Sequence, residues 1–270
     1  MRTDFPKTVS TAILLAFVGM TSLASSPANA AAKNKAAPGK TTVTTSAKRK
    51  AAKAVTTTTV GKVSITAATT SAAANSMRTF KAEVWADNWF VLYNGESKVG
   101  EDSAPITTER SFNAEIFTFQ ARYPLQLRAI SKDYKANDTG LEYIGTSRQQ
   151  IGDGGFIAQI TDLTTGTIVA ATNATWRGFV IHAAPLNPDC EKSSTPEKTC
   201  TNRIAEELSG WKGIAFDDSS WQQATVYSEA AVGVKGGYLD VKWDASAILI
   251  WSTDLKVDNT ILWRKTVPSR

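Results

Sequence analysis

The chain has 270 residues, 42% of them hydrophobic, and carries 30 Lys and Arg against 25 Asp and Glu. Its one histidine excludes a histidine-based metal cluster, and its length suits one domain with a sizeable core. The charges are unevenly placed. Residues 1–82 carry twelve Lys and Arg with one Asp, whereas residues 83–270 carry eighteen Lys and Arg with twenty-four Asp and Glu. The excess positive charge therefore belongs to the N-terminal part, and the remainder of the chain is acidic.

Residues 1–30 have the three parts of a secretory signal peptide. Arg2 and Lys7 supply the positive start, an apolar stretch covers residues 12–24, and Ala28-Asn29-Ala30 provides the small residues before a cleavage site. A membrane anchor is the alternative, but a spanning helix needs about 20 apolar residues and this run is shorter and interrupted. We expect cleavage after Ala30, no integral membrane segment in the mature chain, and a secreted, periplasmic or cell-surface location.

Residues 31–78 consist almost wholly of Ala, Thr, Ser, Lys, Val, Gly and Asn. Such a composition buries too little apolar surface to offset the entropy of ordering, so we predict a disordered basic tether. Its basic residues, densest at 48–53, suit adhesion to a polyanion such as lipid phosphates, an acidic polysaccharide or DNA. A soluble spacer is the alternative explanation.

Residues 79–270 have the composition of a folded domain and hold all eight tryptophans. Short runs of β-forming residues alternate with Gly, Asn, Asp and Pro, and apolar and polar residues alternate within 117–121 and 125–129. The sequence predicts an all-β fold, an antiparallel β-sandwich with one short helix at about 202–208. The predicted strands are 79–86, 88–94, 115–121, 124–131, 155–162, 167–172, 176–183, 237–243, 247–252 and 258–264.

Cys190 and Cys200 are the only cysteines, and they flank a short polar loop. In an oxidising compartment they most simply form a disulfide that closes this loop. No second cluster of metal ligands lies near them in the sequence, which disfavours a metal or catalytic role.

Two stretches resemble segments of galactose-binding-domain-like modules, which accompany many glycoside hydrolases. The first is ADNWFVLYNG at 86–95, continuing to 99–100, and the second is GWKG at 210–213 with FDDSSW at 216–221. The resemblance spans about 80–264 and implies a jelly-roll β-sandwich whose loops bind glycans, with a structural calcium in some members. The motif residues themselves suit structural roles. Asn-Gly suits a hairpin turn, the paired aspartates suit a turn cap, and the last tryptophan suits the core.

The segment between Lys132 and Gly155 mixes carboxylates, amides, aromatics and glycines in what we predict to be a long loop. Long loops on a rigid scaffold often carry binding sites, although an ordered loop with Asx and Gly turns is the alternative. Oxygen ligands suit calcium, and Asp133, Asp138 and Glu142 are the candidate ligands for a structural calcium ion. The candidate ligand-binding residues are Asp133, Tyr134, Asp138, Glu142, Tyr143, Arg148, Gln149 and Asp153.

No catalytic constellation is recognisable in the sequence. His182 lies in an apolar run, a G-x-S-x-G elbow is missing, and the adjacent Asp217 and Asp218 would point to opposite faces of a strand. We therefore expect a secreted, non-catalytic binding module for a glycan or cell-envelope polysaccharide. The alternatives are an extracellular structural or matrix protein that associates with itself or with partner proteins, and a hydrolase whose acids meet only in the folded state.

Overall fold

The structure is a computed structural model that describes residues 76–108 and 111–269. The predicted signal peptide lies outside the described residues, and so does the predicted tether apart from residues 76–78. The described residues form two principal antiparallel sheets around a shared apolar core, which confirms the predicted all-β sandwich. The jelly-roll topology remains a prediction. Within this described part, no helix is long and apolar enough to cross a membrane.

Fifteen strands make up the sheets in the described part of the chain. In chain order they are β1 (Arg78–Asp87), β2 (Trp89–Asn94), β3 (Ser97–Glu101), β4 (Ala114–Ala121), β5 (Leu125–Lys132), β6 (Leu141–Glu142), β7 (Gln150–Ile151), β8 (Gly155–Asp162), β9 (Thr167–Ala171), β10 (Arg177–Ala183), β11 (Arg203–Ile204), β12 (Gln222–Gln223), β13 (Thr225–Tyr227), β14 (Leu249–Trp251) and β15 (Asp258–Val267).

The first sheet has the order β13-β14-β8-β1-β4, with β9 also paired to β8. The second sheet has the order β11-β10-β15-β5-β2-β3, with β12 also paired to β10. β6 and β7 form a separate two-stranded sheet. Strand β4 is thus one end of the first sheet, and β10 carries two short strands along one edge of the second.

The inward faces of the two principal sheets supply the central core, because alternate residues of each strand point to the same side. Phe156 of β8 stacks on Trp263 of β15 with their ring centroids 6.4 Å apart, which joins the two sheets. The outward faces also carry apolar residues, which connecting segments cover. Trp85 packs with Tyr238 over the first sheet, and Trp221 packs with Val91 and Leu262 over the second.

The predicted helix at 202–208 is wrong. Arg203 and Ile204 instead form β11, and Ala205 extends the pairing by donating its backbone N–H to the Ile181 carbonyl over 2.8 Å. The α-helices are Pro196–Thr199 and Glu229–Val232, and the 3₁₀ helices are Pro188–Lys192 and Gly236–Asp240.

The predicted strand at 237–243 is also wrong, because its first residues belong to the 3₁₀ helix Gly236–Asp240. Gly236 has a positive φ of 55°, and Gly237 donates its N–H to the Phe112 carbonyl over 2.8 Å. A Cβ on Gly237 would meet the backbone of 113–114. These two glycines therefore let the chain turn closely against the start of β4.

The predicted Asn-Gly hairpin is confirmed between β2 and β3. Gly95 has a φ of 60° and donates its N–H to the Gln126 carbonyl over 2.7 Å. Asn94 accepts a hydrogen bond from the Gln126 N–H through its side-chain oxygen over 2.9 Å. The turn is therefore fixed to the neighbouring strand β5 by the last residue of β2 and the first residue of the turn.

Candidate ligand-binding site

The eight residues predicted to bind a ligand do not form a single surface. Asp133 and Glu142 are buried, and with the half-buried Asp153 they form a set of acidic residues that we call the interior group. Tyr143 and Arg148 lie at the surface, where the guanidinium sits 4.3 Å from the ring centroid. The predicted site is therefore split between the interior of the domain and its surface.

Asp133 is fully engaged by the protein around it. Its Oδ1 accepts the N–H of Tyr134, itself buried, over 2.6 Å, and its Oδ2 accepts the side-chain amide of Asn259 over 3.1 Å. Burial raises the pKa of the Asp133 carboxyl well above its usual range, and the nearby Glu142, Asp87 and Asp153 carboxylates raise it further. Asp133 therefore has a structural role, because it links the segment after β5 to Asn259 of β15.

Asp87, at the end of β1, is a member of this interior group that sequence reasoning missed. Its side chain is 1% exposed, and the Lys235 ammonium lies 3.1 Å from its Oδ2. Burial raises the pKa of Asp87 to about 7, Lys235 lowers it, and Asp153 and Glu142 raise it. Lys235 therefore partly compensates the negative charge of the interior group.

The predicted calcium ligands are separated from one another. Asp138 is at the surface, where its Oδ1 lies 2.7 Å from the Lys135 ammonium, while Asp133 and Glu142 are interior. Glu142 accepts a hydrogen bond from the Gln150 side chain over 2.9 Å. Across 76–108 and 111–269, no group of three or more His, Cys, Asp or Glu is arranged to hold a metal ion. Calcium binding by these residues remains a prediction without structural support.

The predicted disulfide between Cys190 and Cys200 is confirmed. Gln149 ties its loop to the predicted binding loop, because its side-chain amide donates to the Glu191 and Ser193 carbonyls over 2.6 and 2.9 Å. A cavity of about 570 Å³ lies between the two loops. Both N–H groups of the Gln149 side-chain amide are used in these two hydrogen bonds, so they hold the two loops together and are not free to bind a ligand.

The FDDSSW segment is structural as predicted, but only one of its paired aspartates caps the turn. Asp217 accepts the Ser219 N–H over 2.9 Å and so caps the turn. Asp218 accepts from Arg264 Nε over 2.7 Å, and Trp221 is 4% exposed within the apolar layer on the outside of the second sheet. His182 is likewise buried, and burial together with Lys135 lowers its pKa.

A cavity of about 360 Å³ lies at the edge of the sandwich beside β10, and we call it the edge pocket. Strand β12 pairs with β10 at 177–178 and β11 pairs with it at 182–183. Between them, Phe179 and Val180 have no strand partner on that edge within the described residues. The gap opens the pocket, and residues 251–253, at the end of β14, close its other side.

The edge pocket has an apolar wall and a polar rim. Exposed polar residues surround its mouth, and the tryptophan rings at its back are buried. The apolar wall includes Val180, Trp221, Trp251, Ile261 and Trp263. The polar residues are Arg203, Ser220, Gln222, Gln223, Ser252, Thr253 and Asp258.

Arg203 and Asp258 carry opposite charges into the edge pocket. Both are paired with Ala183, Arg203 on β11 and Asp258 on β15, so β10 separates their strands. No ion pair joins them, and the Arg203 guanidinium has no hydrogen bond within the described residues. Burial raises the pKa of Asp258, the Ser252 hydroxyl lowers it, Asp254 raises it, and Arg203 lowers it. The two charges can therefore act on a molecule placed between them.

Sequence reasoning missed the edge pocket because its residues come from four separate segments, near 178–180, 203, 220–223 and 251–263. Their individual types gave no signal, since isolated Gln, Arg and Asp residues are ordinary at a surface. Comparison with protein-family models, with curated proteins and with solved structures finds no match for this chain.

Proposed function

We propose that the chain is a non-catalytic binding module for a glycan or cell-envelope polymer, and that the ligand occupies the edge pocket. The observation that carries the proposal is the combination of an apolar wall with a rim of polar groups in one cavity of about 360 Å³. Ligand pockets are usually concave, largely apolar, and furnished with a few polar groups that orient the ligand.

The rim groups match the chemistry of a sugar. The side chains of Gln222 and Gln223 are exposed and make no hydrogen bond within the described part of the chain. An amide both donates and accepts, as a hydroxyl does, so each amide suits a molecule with many hydroxyls. The two side chains leave β12 on opposite sides and would contact different parts of that molecule. The half-buried Phe179 and Val180 offer the apolar surface on which the C–H face of a sugar ring would lie.

The pocket favours binding over hydrolysis. Asp258 is the one carboxylate among the residues that line it. Glycoside hydrolysis usually needs two carboxyl groups on either side of the scissile bond. Secretion remains part of the proposal and is supported by the signal-like N-terminal segment and by the disulfide. Contact of the basic tether with polyanions is likewise proposed from its composition alone.

A glycan array probed with residues 31–270 tests the proposal. Saturable binding to at least one glycan without product release is expected. The double variant Gln222→Ala, Gln223→Ala should weaken that binding at least tenfold. Gln120→Ala is the matched control, because Gln120 is an exposed glutamine on the remote strand β4. The absence of binding to any glycan, or equal binding by the double variant, would contradict the proposal.

Self-association is a second candidate function, and the position of β4 favours it. As an end strand of the first sheet, β4 has one edge without a strand partner among residues 76–108 and 111–269, and Ile116 on it is 57% exposed. Unprotected edge strands are templates for pairing between chains. Sedimentation at increasing protein concentration should then show dimers that Ile116→Lys abolishes. A monomer at every concentration excludes this candidate.

A further inference from the structure

The two charges of the edge pocket line the same cavity from strands that flank β10 on either side. Ala183 of β10 is paired with both Arg203 and Asp258, next to a shift in the register between β10 and β15. Strands lie about 4.8 Å apart, so the two backbones are about two strand spacings from each other. This separation leaves room for a small group between the charged ends.

Arg203 and Asp258 require different hydrogen-bonding groups of a ligand. A guanidinium only donates hydrogen bonds, and an ionised carboxylate only accepts them. An acidic sugar would gain from Arg203 but would place a second negative charge near Asp258. An amino sugar would gain from Asp258 but would meet Arg203. Neighbouring hydroxyls satisfy both, since one donates to the carboxylate while the next accepts from the guanidinium.

The size of the cavity limits how much of a polymer can enter. Its volume of about 360 Å³ is near the lower end of the roughly 300–1,000 Å³ of ligand pockets. Trp251 and Trp263 close the back and are themselves fully buried. A chain that ended in the pocket would fit this shape, whereas a chain that passed through it would need a second opening.

We infer that the edge pocket takes the terminal unit of a neutral glycan, held through adjacent hydroxyls between Asp258 and Arg203. This inference rests on the proposed glycan-binding function and narrows it to one chemical class of ligand. Burial that raises the pKa of Asp258 supports it, because a hydroxyl donor would replace the water that the carboxylate loses. Gln222 and Gln223 would contact the remaining hydroxyls.

Titration calorimetry of residues 31–270 tests the inference with three sets of probes. The neutral probes are glucose, galactose and mannose, the acidic probes are glucuronic and galacturonic acid, and the basic probe is glucosamine. At least one neutral sugar should bind, and at least tenfold more tightly than its acidic and basic counterparts. That sugar should also compete fully with any glycan that binds on the array.

Two variants, each of which removes one charge and leaves a polar side chain of similar size, test the two charged residues individually. Arg203→Gln should weaken binding of the neutral sugar at least tenfold. Asp258→Asn should weaken it similarly while reducing the discrimination against the acidic sugar, because the repelling charge is gone. Lys198→Gln, at an exposed position on the disulfide loop, is the matched control. Thermal melting should show both pocket variants folded, since neither side chain is fully buried.

Each contrary outcome has a defined meaning. If glycans bind but both pocket variants bind them as the wild type does, the inference is overturned while the proposed function stands. If only longer oligosaccharides bind, or the acidic sugar binds best, the terminal neutral unit is excluded. If no sugar and no array glycan binds, the proposed function and the inference fall together.

Discussion

Arg264 on the last strand and Asp218 in the FDDSSW turn form an ion pair with 2.7 Å between Nε and Oδ2. The same guanidinium donates to the backbone carbonyls of Trp211, Gly213 and Phe216, while its side chain is 3% exposed. One arginine thus binds the whole GWKG–FDDSSW segment to the outer face of the second sheet. The two motifs are therefore held in place by Arg264, which lies about fifty positions further along the chain.

Removal of this ion pair should destabilise the domain. Asp218→Asn leaves the buried Arg264 without its counter-ion, and we expect a loss of about 2–3 kcal/mol in the free energy of unfolding. Urea denaturation followed by tryptophan fluorescence measures it. Asp217→Asn, at the adjacent exposed cap position, is the control and should shift the midpoint less. Equal shifts for the two variants would show that Arg264 does not depend on Asp218.

Asp87 should make the stability depend on pH between about 4 and 7. Its pKa in the folded state is raised to about 7 by burial, above the value of 3.8 for a free aspartate. The folded state therefore holds the proton more tightly, so this contribution is complete below the free value and is lost as pH rises through 7. We expect wild type to gain a few kcal/mol between pH 7.5 and 4.5 relative to Asp87→Asn.

Urea titrations at four pH values measure the free energy of unfolding of wild type and of Asp87→Asn. Taking the difference between the two values at each pH cancels the contribution of other acidic residues. Asp244→Asn, at an exposed position, serves as the control and should follow the wild-type pH profile. Parallel profiles for wild type and Asp87→Asn would contradict the assignment. Lys235→Met should strengthen the pH dependence, because loss of the ammonium removes the influence that lowers the Asp87 pKa.

Gly140 should resist substitution far more than Gly145, although both have positive φ values, 71° and 77°. A Cβ on Gly140 would meet the carbonyl of Ala184, whereas a Cβ on Gly145 would have no neighbour within 4 Å. Gly145→Ala should cost about 1 kcal/mol from backbone conformation alone, and Gly140→Ala should cost several times as much. Chemical denaturation of both variants tests this, and equal losses would refute the close approach.

The disulfide should stabilise the domain through its short loop. Cys190 and Cys200 are ten positions apart, and a loop of that length is worth about 2–3 kcal/mol in the free energy of unfolding. The Cys190→Ala, Cys200→Ala variant should show this loss under oxidising conditions. The wild type should show the same loss after reduction, and the variant should not respond to the reductant. A wild type insensitive to reduction would contradict the expectation.

The sequence predicted most of the strands because their signal is local. The alternation within 117–121 and 125–129 reports which side of a strand is buried, and the structure places these residues in β4 and β5. The predictions failed where a short segment depends on distant backbone. Arg203 and Ile204 are extended because β10 offers them hydrogen bonds, and Gly236 turns because it lies against Phe112.

The sequence by itself determined the all-β class, the Asn94-Gly95 hairpin and the disulfide, since each follows from residues that are close in the chain or from the count of cysteines. Only the tertiary structure decided that Asp133 is interior, that Lys235 neutralises Asp87, and that Arg203 and Asp258 share a pocket. These relationships arise from contacts between segments that are 50 or more positions apart in the chain. Local composition does not predict such contacts, because the same side chains would be ordinary surface charges if the strands paired in a different register.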